Sequence, residues 1–111
     1  MDESLEKSKA INIVDSVEYL PNSVVSKTII KKSTGNITLT SFDTGAGSPE
    51  TTSPFDAFIT IIDGRAEILI EGISRSLETG EAIIVPAHSP NKINANERFK
   101  MIHTVIKSGY E

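Results

Sequence analysis

The stretch FDAFITIIDGRAEILIE, residues 55–71, decides the fold class of this chain. It is rich in β-branched residues, and its second half alternates small or aliphatic residues with charged ones, as a strand with one buried face does. Asp63 followed by Gly64 is the combination typical of a two-residue hairpin turn. We therefore predict two strands, at residues 55–62 and 65–71, joined by that turn.

Short β-branched runs separated by Gly, Pro, Asn and Asp continue on both sides of this stretch. Helical spacing of apolar residues is not sustained anywhere after residue 10. We predict about eight strands in all, with a long loop at residues 43–54. The remaining strands are placed at residues 11–20, 24–31, 37–42, 73–77, 82–85 and 98–107. Such regular spacing predicts an all-β jelly roll, a barrel or a sandwich.

Length and composition limit the possible classes of protein. The 111 residues suffice for one domain, which we place at residues 11–108 after an N-terminal tail at residues 1–10. The absence of Cys excludes disulfides and thiolate metal sites. A formal charge of -4 argues against nucleic acid as a partner.

The chain carries no sign of a membrane or secretory segment. Its longest aliphatic run, residues 82–85, is far shorter than a membrane span. The N-terminus opens with Met1, Asp2 and Glu3 and lacks the basic and apolar regions of a signal peptide. We therefore expect a cytoplasmic protein with no membrane partner.

Two spacing patterns run through residues 45–95. The first is Gly45-x5-Thr51-x-Ser53-x3-Ala57-x6-Gly64, and the second is Gly80-x5-Pro86-x-His88-x2-Asn91-x3-Ala95. Their glycines, proline and spacings resemble the cupin motifs G-x5-H-x-H-x(3,4)-E-x6-G and G-x5-P-x-G-x2-H-x3-N. The resemblance extends over most of residues 11–107. It implies a small single-domain cupin of the cupin 2 conserved-barrel type, with a jelly-roll β-barrel.

The resemblance also identifies the positions at which cupins hold a metal ion. Two His and one Glu of the first motif and one His of the second are the usual ligands. This chain has Thr51, Ser53, Ala57 and Asn91 in those positions, and none of them is an ionisable ligand for a transition metal. We therefore expect degenerate metal-ligand positions, with no metal and no cofactor.

A relocated metal site is the alternative. His88 and His103 together with Glu50 or Asp56 would supply the three protein ligands that such a site needs. Side chains alternate along a strand, so Asp56 should point out of the barrel if Ala57 points into it.

Both histidines are candidate pocket residues. His103 shares its strand parity with Phe99, Met101 and Val105, which predicts an interior position. It is either a buried histidine with one hydrogen bond or the polar anchor of an apolar pocket. His88 stands in a proline-bracketed loop and is either an exposed loop residue or a ligand contact. The predicted pocket comprises Thr51, Ser53, Ala57, Asn91, Met101, His103 and His88.

The same residues leave several functions open. The first is binding of a small neutral or weakly anionic molecule in the barrel without a metal, or a purely structural dimeric domain. The alternative is an enzyme: the resemblance allows metal-free isomerase or epimerase chemistry, with a His oriented by a carboxylate. A metal-dependent oxygenase or isomerase would need the absent ligands.

A homodimer is the expected assembly. Phe58, Thr60 and Ile62 make the second face of their strand largely apolar as well, and a second subunit could cover it. The small cupins that this chain resembles usually form dimers. An N-terminal strand folded over the same face is the alternative.

Overall fold

The computed structural model describes residues 5–109, which form an all-β structure and confirm the predicted jelly-roll class. Among these residues one short 3-10 helix, Val14–Ser16, precedes eight strands. The strands are β1 (Val24–Lys32), β2 (Gly35–Phe42), β3 (Ser48–Thr51), β4 (Ala57–Ile70), β5 (Ile73–Glu78), β6 (Ala82–Val85), β7 (Asn91–Asn94) and β8 (Phe99–Ile106).

The strands form one antiparallel sheet that curls into a half-barrel. Its order is β1-β2-β8-β4-β7-β3, with β5 and β6 paired to β4 off this path. Strands β1 and β3 therefore form the two ends of the path, and the inner face of the curl lies between them. No helix in residues 5–109 is long and apolar enough to cross a membrane.

Strand β4 is continuous, so the predicted hairpin turn at Asp63 and Gly64 is wrong. Its first half pairs with β6 and β8, and its second half pairs with β5 and β7. The pairing with β8 shifts register between Ile61 and Asp63, which marks a β-bulge that bends the strand without reversing it. Gly64 has φ 85° and provides the left-handed conformation at that bend.

The carboxylate of Asp63 has a partner that a hairpin turn would not supply. The Tyr19 hydroxyl donates a hydrogen bond of 2.7 Å to Asp63 Oδ2. Burial and this carboxylate raise the pKa of Tyr19 well above its ordinary value, so the phenol stays protonated and keeps donating. The contact ties the N-terminal segment to the bend in β4.

Residues 11–20 do not form the predicted strand. They make a loop with the 3-10 helix and lie across the outer face of β2 and β8. Ser41 Oγ donates to the Glu18 carbonyl at 2.7 Å, and Lys100 Nζ donates to the Val14 carbonyl at 2.6 Å. These backbone groups bond to side chains of the sheet rather than to a neighbouring strand.

Of the tail predicted at residues 1–10, residues 1–4 lie outside the described residues. The Leu5 amide donates to the Thr28 carbonyl of β1 at 3.2 Å.

Within residues 5–109 the structure has eight strands, as many as we predicted, but they are not the same eight. One predicted strand is a loop, two are the single β4, and β3 and β7 were not predicted. Strand β3 lies inside the predicted loop at residues 43–54 and contains Pro49, which an edge strand tolerates. Strand β7 is four residues long and has one apolar residue, Ile93. It therefore shows no alternation of apolar and polar residues from which a strand could be predicted.

The core lies between the two halves of the curled sheet. The rings of Phe42 and Phe99 stack with centroids 4.6 Å apart, and Phe99 is fully buried. The buried residues of this core are Phe42, Ile59, Ile61, Ala66, Ile68, Leu77, Val85, Ile93, Ala95, Phe99 and Met101. Several of them also form the floor of the cavity described next.

Candidate functional site

The half-barrel encloses a cavity of about 510 Å³. This volume falls within the range of roughly 300–1,000 Å³ typical of small-molecule sites. Its walls come from β1, β2, β8, β4 and β6 on one side, and from β3, β7 and the preceding loops on the other. No Asp, Glu, Lys or Arg of the described residues lines it.

The cross-strand register determines which side chains meet on the inner face. Thr40 of β2 lies opposite Ser26 of β1 and opposite Met101 of β8. One row along, Thr38 lies opposite His103, and His103 lies opposite Ile59 of β4. Polar side chains therefore lie on β1 and β2, and aliphatic ones on β4, with His103 between them.

Six of the seven predicted pocket residues line this cavity. They are Thr51, Ser53, Ala57, Asn91, Met101 and His103. Their contact with a ligand remains a prediction, but the topology does bring them to one space.

His88 does not line the cavity. It is exposed and has φ 66°, a left-handed conformation, and its backbone amide donates to the Ser53 carbonyl at 2.7 Å. The loop is thus anchored to the rim through its backbone, while the His88 side chain is exposed. The expectation that His88 belongs to the pocket is not met by this geometry.

Two of the polar residues in the motif positions support the rim of the cavity. Asn91 Nδ2 donates to the Thr51 carbonyl at 3.3 Å and to the Ser89 carbonyl at 3.0 Å. Ser53 Oγ accepts the Phe55 amide at 3.2 Å. Both side chains therefore hold backbone segments in place.

His103 is half-buried, and its ring has no hydrogen-bond partner among residues 5–109. No fully buried side-chain nitrogen or oxygen in that part of the chain lacks a partner, and His103 is one of the residues that line the cavity. Burial lowers the pKa of His103 below its ordinary value of 6.5. The imidazole is therefore neutral at pH 7 and offers one donor and one acceptor.

Three further residues, Ser26, Thr38 and Thr40, line the cavity on β1 and β2 and were not predicted from the sequence. The alternation in ITLTSF, residues 37–42, placed the two threonines on one face. The alternation did not indicate which of the two faces points into the barrel. In the structure Leu39 is buried on the outer face beside Ser41, where the N-terminal segment covers the sheet.

Solved structures identify the scaffold. A conserved protein of unknown function from Streptococcus pyogenes is 31% identical over 94% of this chain and 91% of its own, with a TM-score of 0.89. A cupin 2 conserved barrel domain protein from Leptotrichia buccalis is 31% identical over 87% of this chain and 47% of its own, with a TM-score of 0.84. The chain is a cupin.

A third structure supports the same assignment over nearly the full length of both chains. A cupin superfamily protein from Desulfitobacterium hafniense is 25% identical over 94% of this chain and 95% of its own, with a TM-score of 0.87. No family model matches the chain, and no curated protein does. The scaffold of this cupin is therefore established, while its role has to be argued from its own residues.

The residues of this cupin do not fit the metal that its motif positions would hold. Thr51, Ser53, Ala57 and Asn91 provide no ionisable donor. Within residues 5–109 no group of three or more His, Cys, Asp or Glu is placed to hold a metal ion. Asp56, one candidate for a relocated site, accepts the Ala87 amide at 2.8 Å through Oδ1.

The epimerase-like alternative requires a carboxylate on a pocket histidine. No carboxylate of the described residues lines the cavity, and the pKa of His103 is shifted by burial with no contribution from an acidic neighbour. Of the two groups that this mechanism needs, the described lining residues therefore provide the histidine but not the carboxylate.

Proposed function

We propose that this cupin binds a small neutral or weakly anionic organic molecule in its cavity without a metal ion. The observation that carries the proposal is a cavity of about 510 Å³ lined by apolar side chains, hydroxyls, one amide and one histidine, with no charged side chain among the described lining residues. A strongly charged ligand would lose its hydration there without gaining an ion pair. A neutral molecule loses less and can still hydrogen-bond to the wall.

The donor chemistry supports a role without a metal ion. Hydroxyl and amide oxygens lack the charge and basicity that a mononuclear transition-metal site needs. Two of the relevant side chains, Ser53 and Asn91, are already engaged in hydrogen bonds with the rim backbone. The polar groups of the cavity therefore serve as hydrogen-bonding partners for an organic ligand.

Three probes of the same shape test the proposal: benzamide, benzoate and benzamidinium, which differ in charge. We expect benzamide to bind with about tenfold or higher affinity than benzamidinium, because an unpaired buried ion costs at least ~1–3 kcal/mol. Benzoate should be intermediate, since the neutral ring of His103 and the hydroxyls of the cavity can donate hydrogen bonds to an anion. Binding is measured by NMR titration with and without EDTA.

The matched control is metal analysis of the same sample, which should contain less than stoichiometric zinc, iron, nickel or manganese. Loss of benzamide binding on chelation would contradict the metal-independent role. Benzamidinium binding as tightly as benzamide would contradict the argument from charge.

We also propose that the chain forms a homodimer through the outer face of β4 and β6. Phe58 of β4 lies opposite Ile84 of β6, and they are 47% and 63% exposed. The N-terminal segment covers β2 and β8 and leaves this pair open. Because the patch is uncharged, two copies can meet around a two-fold axis without repulsion between like charges.

Sedimentation tests the dimer. The wild type should sediment at twice the chain mass of 12.0 kDa at micromolar concentration, and Phe58→Asp should shift it towards the monomer. Ile73→Asp is the matched control, since Ile73 is also exposed but lies on β5, outside this face. A monomeric wild type would overturn the proposal, as would a dimer that both variants leave intact.

A further inference from the structure

The inner faces of β1 and β2 carry a cluster of hydroxyls that no motif position includes. We name Ser26, Thr38 and Thr40 the hydroxyl wall; all three line the cavity. Thr38 and Thr40 lie two residues apart on β2 and therefore on the same face. Directly opposite residues of paired strands have Cβ atoms roughly 5 Å apart, which places His103 beside Thr38 and Ser26 beside Thr40.

The wall keeps hydrogen-bonding capacity for a ligand. Ser26 Oγ and Thr40 Oγ1 lie 3.0 Å apart and share one hydrogen bond, so one hydroxyl hydrogen of the pair stays available. Thr38 Oγ1 donates to the His103 carbonyl at 3.5 Å, a length at which a hydrogen bond is weak. The His103 ring adds one donor and one acceptor next to them.

The part of the cavity wall on β4 and β6, which lies beyond β8 from the hydroxyl wall, is aliphatic. Ala57 and Ile59 of β4 and Val85 of β6 line it, and the register places Ala57 opposite Val85. A ligand that fits both sides has an apolar body and a polar end. The rim residues Ser53 and Asn91 are less available to read that polar end, because they bond to backbone atoms.

We propose that the hydroxyl wall and His103 form the polar subsite of this cupin and select a neutral group that both donates and accepts hydrogen bonds. Carboxamides, lactams and phenols have this chemistry. The inference rests on the proposed function and adds the orientation of the ligand: polar end on β1, β2 and β8, apolar body on β4 and β6. It assigns specificity to residues outside the motif positions.

Isosteric substitutions test this orientation. Thr38→Val and Thr40→Val keep the side-chain shape and remove the hydroxyl, and each should weaken benzamide binding by about 2- to 10-fold, the equivalent of one net hydrogen bond. Thr60→Val is the matched control, because Thr60 has the outward parity of Phe58 on β4 and does not line the cavity. Its affinity for benzamide should equal that of the wild type.

The pH dependence provides a second readout. Within the described residues His103 is the titratable group that lines the cavity; the opposing residues, Thr38 on β2 and Ile59 on β4, do not titrate. Acidification protonates the ring and removes its acceptor. Benzamide binding should therefore weaken as the pH falls from about 7.5 to about 5, and the signal of the His103 ring should shift on binding.

The outcomes separate the two proposals. If benzamide does not bind the wild type, the proposed function fails. If benzamide binds the wild type but Thr38→Val, Thr40→Val and Thr60→Val bind it equally, the cavity binds ligands and the polar subsite is elsewhere. A larger loss in Thr51→Val than in Thr38→Val would place that subsite at the rim and overturn this inference.

Discussion

A chain with Gly64→Val should lose about 2–5 kcal/mol of its free energy of unfolding, from a left-handed φ that costs ~1–2 kcal/mol and overpacking that costs ~1–3 kcal/mol. Gly64 has φ 85°, and a Cβ there would overlap the Arg98 carbonyl oxygen and lie 3.0 Å from the Phe99 Cα. Backbone atoms of β8 cannot rotate away as a side chain could. The loss is a large part of the roughly 5–15 kcal/mol that stabilises a typical domain.

Gly72→Val separates the two causes. Gly72 has φ 79°, but apart from Gly72 and its two chain neighbours no described residue has an atom within 4 Å of the point that a Cβ would occupy there. The substitution should therefore cost only the ~1–2 kcal/mol of the left-handed conformation. Urea unfolding of both variants and the wild type measures the difference. Equal losses would show that β8 moves aside and that the bend is not tightly packed.

A chain with Phe99→Ala should lose about 3–5 kcal/mol, the usual cost of removing a buried aromatic ring. Phe99 is fully buried, and its ring stacks on Phe42 at 4.6 Å. Its strand is paired to β2 on one side and β4 on the other, so the surrounding sheet has little freedom to collapse into the space.

Phe58→Ala is the matched control for Phe99→Ala, because Phe58 is 47% exposed on the outer face. At dilution, where any dimer has dissociated, thermal unfolding should show less than ~1 kcal/mol of loss for Phe58→Ala. A small loss in Phe99→Ala would mean that the core repacks around the missing ring.

The fold class could be predicted from the sequence, and the path of β4 could not. The pair Asp63 and Gly64 has the same residues as a hairpin turn, and a left-handed glycine suits either a turn or a bulge. The choice is made by long-range pairing, since β4 is held by β8 and β6 before the bend and by β5 and β7 after it. A local window of sequence contains none of these partners.

The pocket could be predicted in part. The spacing of the glycines and prolines predicted that Thr51, Ser53, Ala57 and Asn91 lie at one cavity. Glycines and prolines shape the turns of the scaffold, so their spacing indicates which residues the scaffold brings together. Thr38 and Thr40 of the hydroxyl wall were missed because their strand, β2, has buried residues on both faces. When Leu39 packs beneath the N-terminal segment, apolar residues no longer mark the inner face, and alternation alone cannot tell inside from outside.

The pairing of β2 with β8 affects how the chain acquires its shape. Gly35 pairs with Ile106, so strands from distant parts of the sequence must meet before the cavity has a closed side. The hairpin of β1 and β2 is local and can form early. The part of the cavity wall in which Thr38 lies opposite His103 forms only when β8 pairs with β2. Sheets built on such distant pairings fold in milliseconds to seconds. On a ribosome, therefore, the binding surface would be assembled last, after β8 has left the exit tunnel.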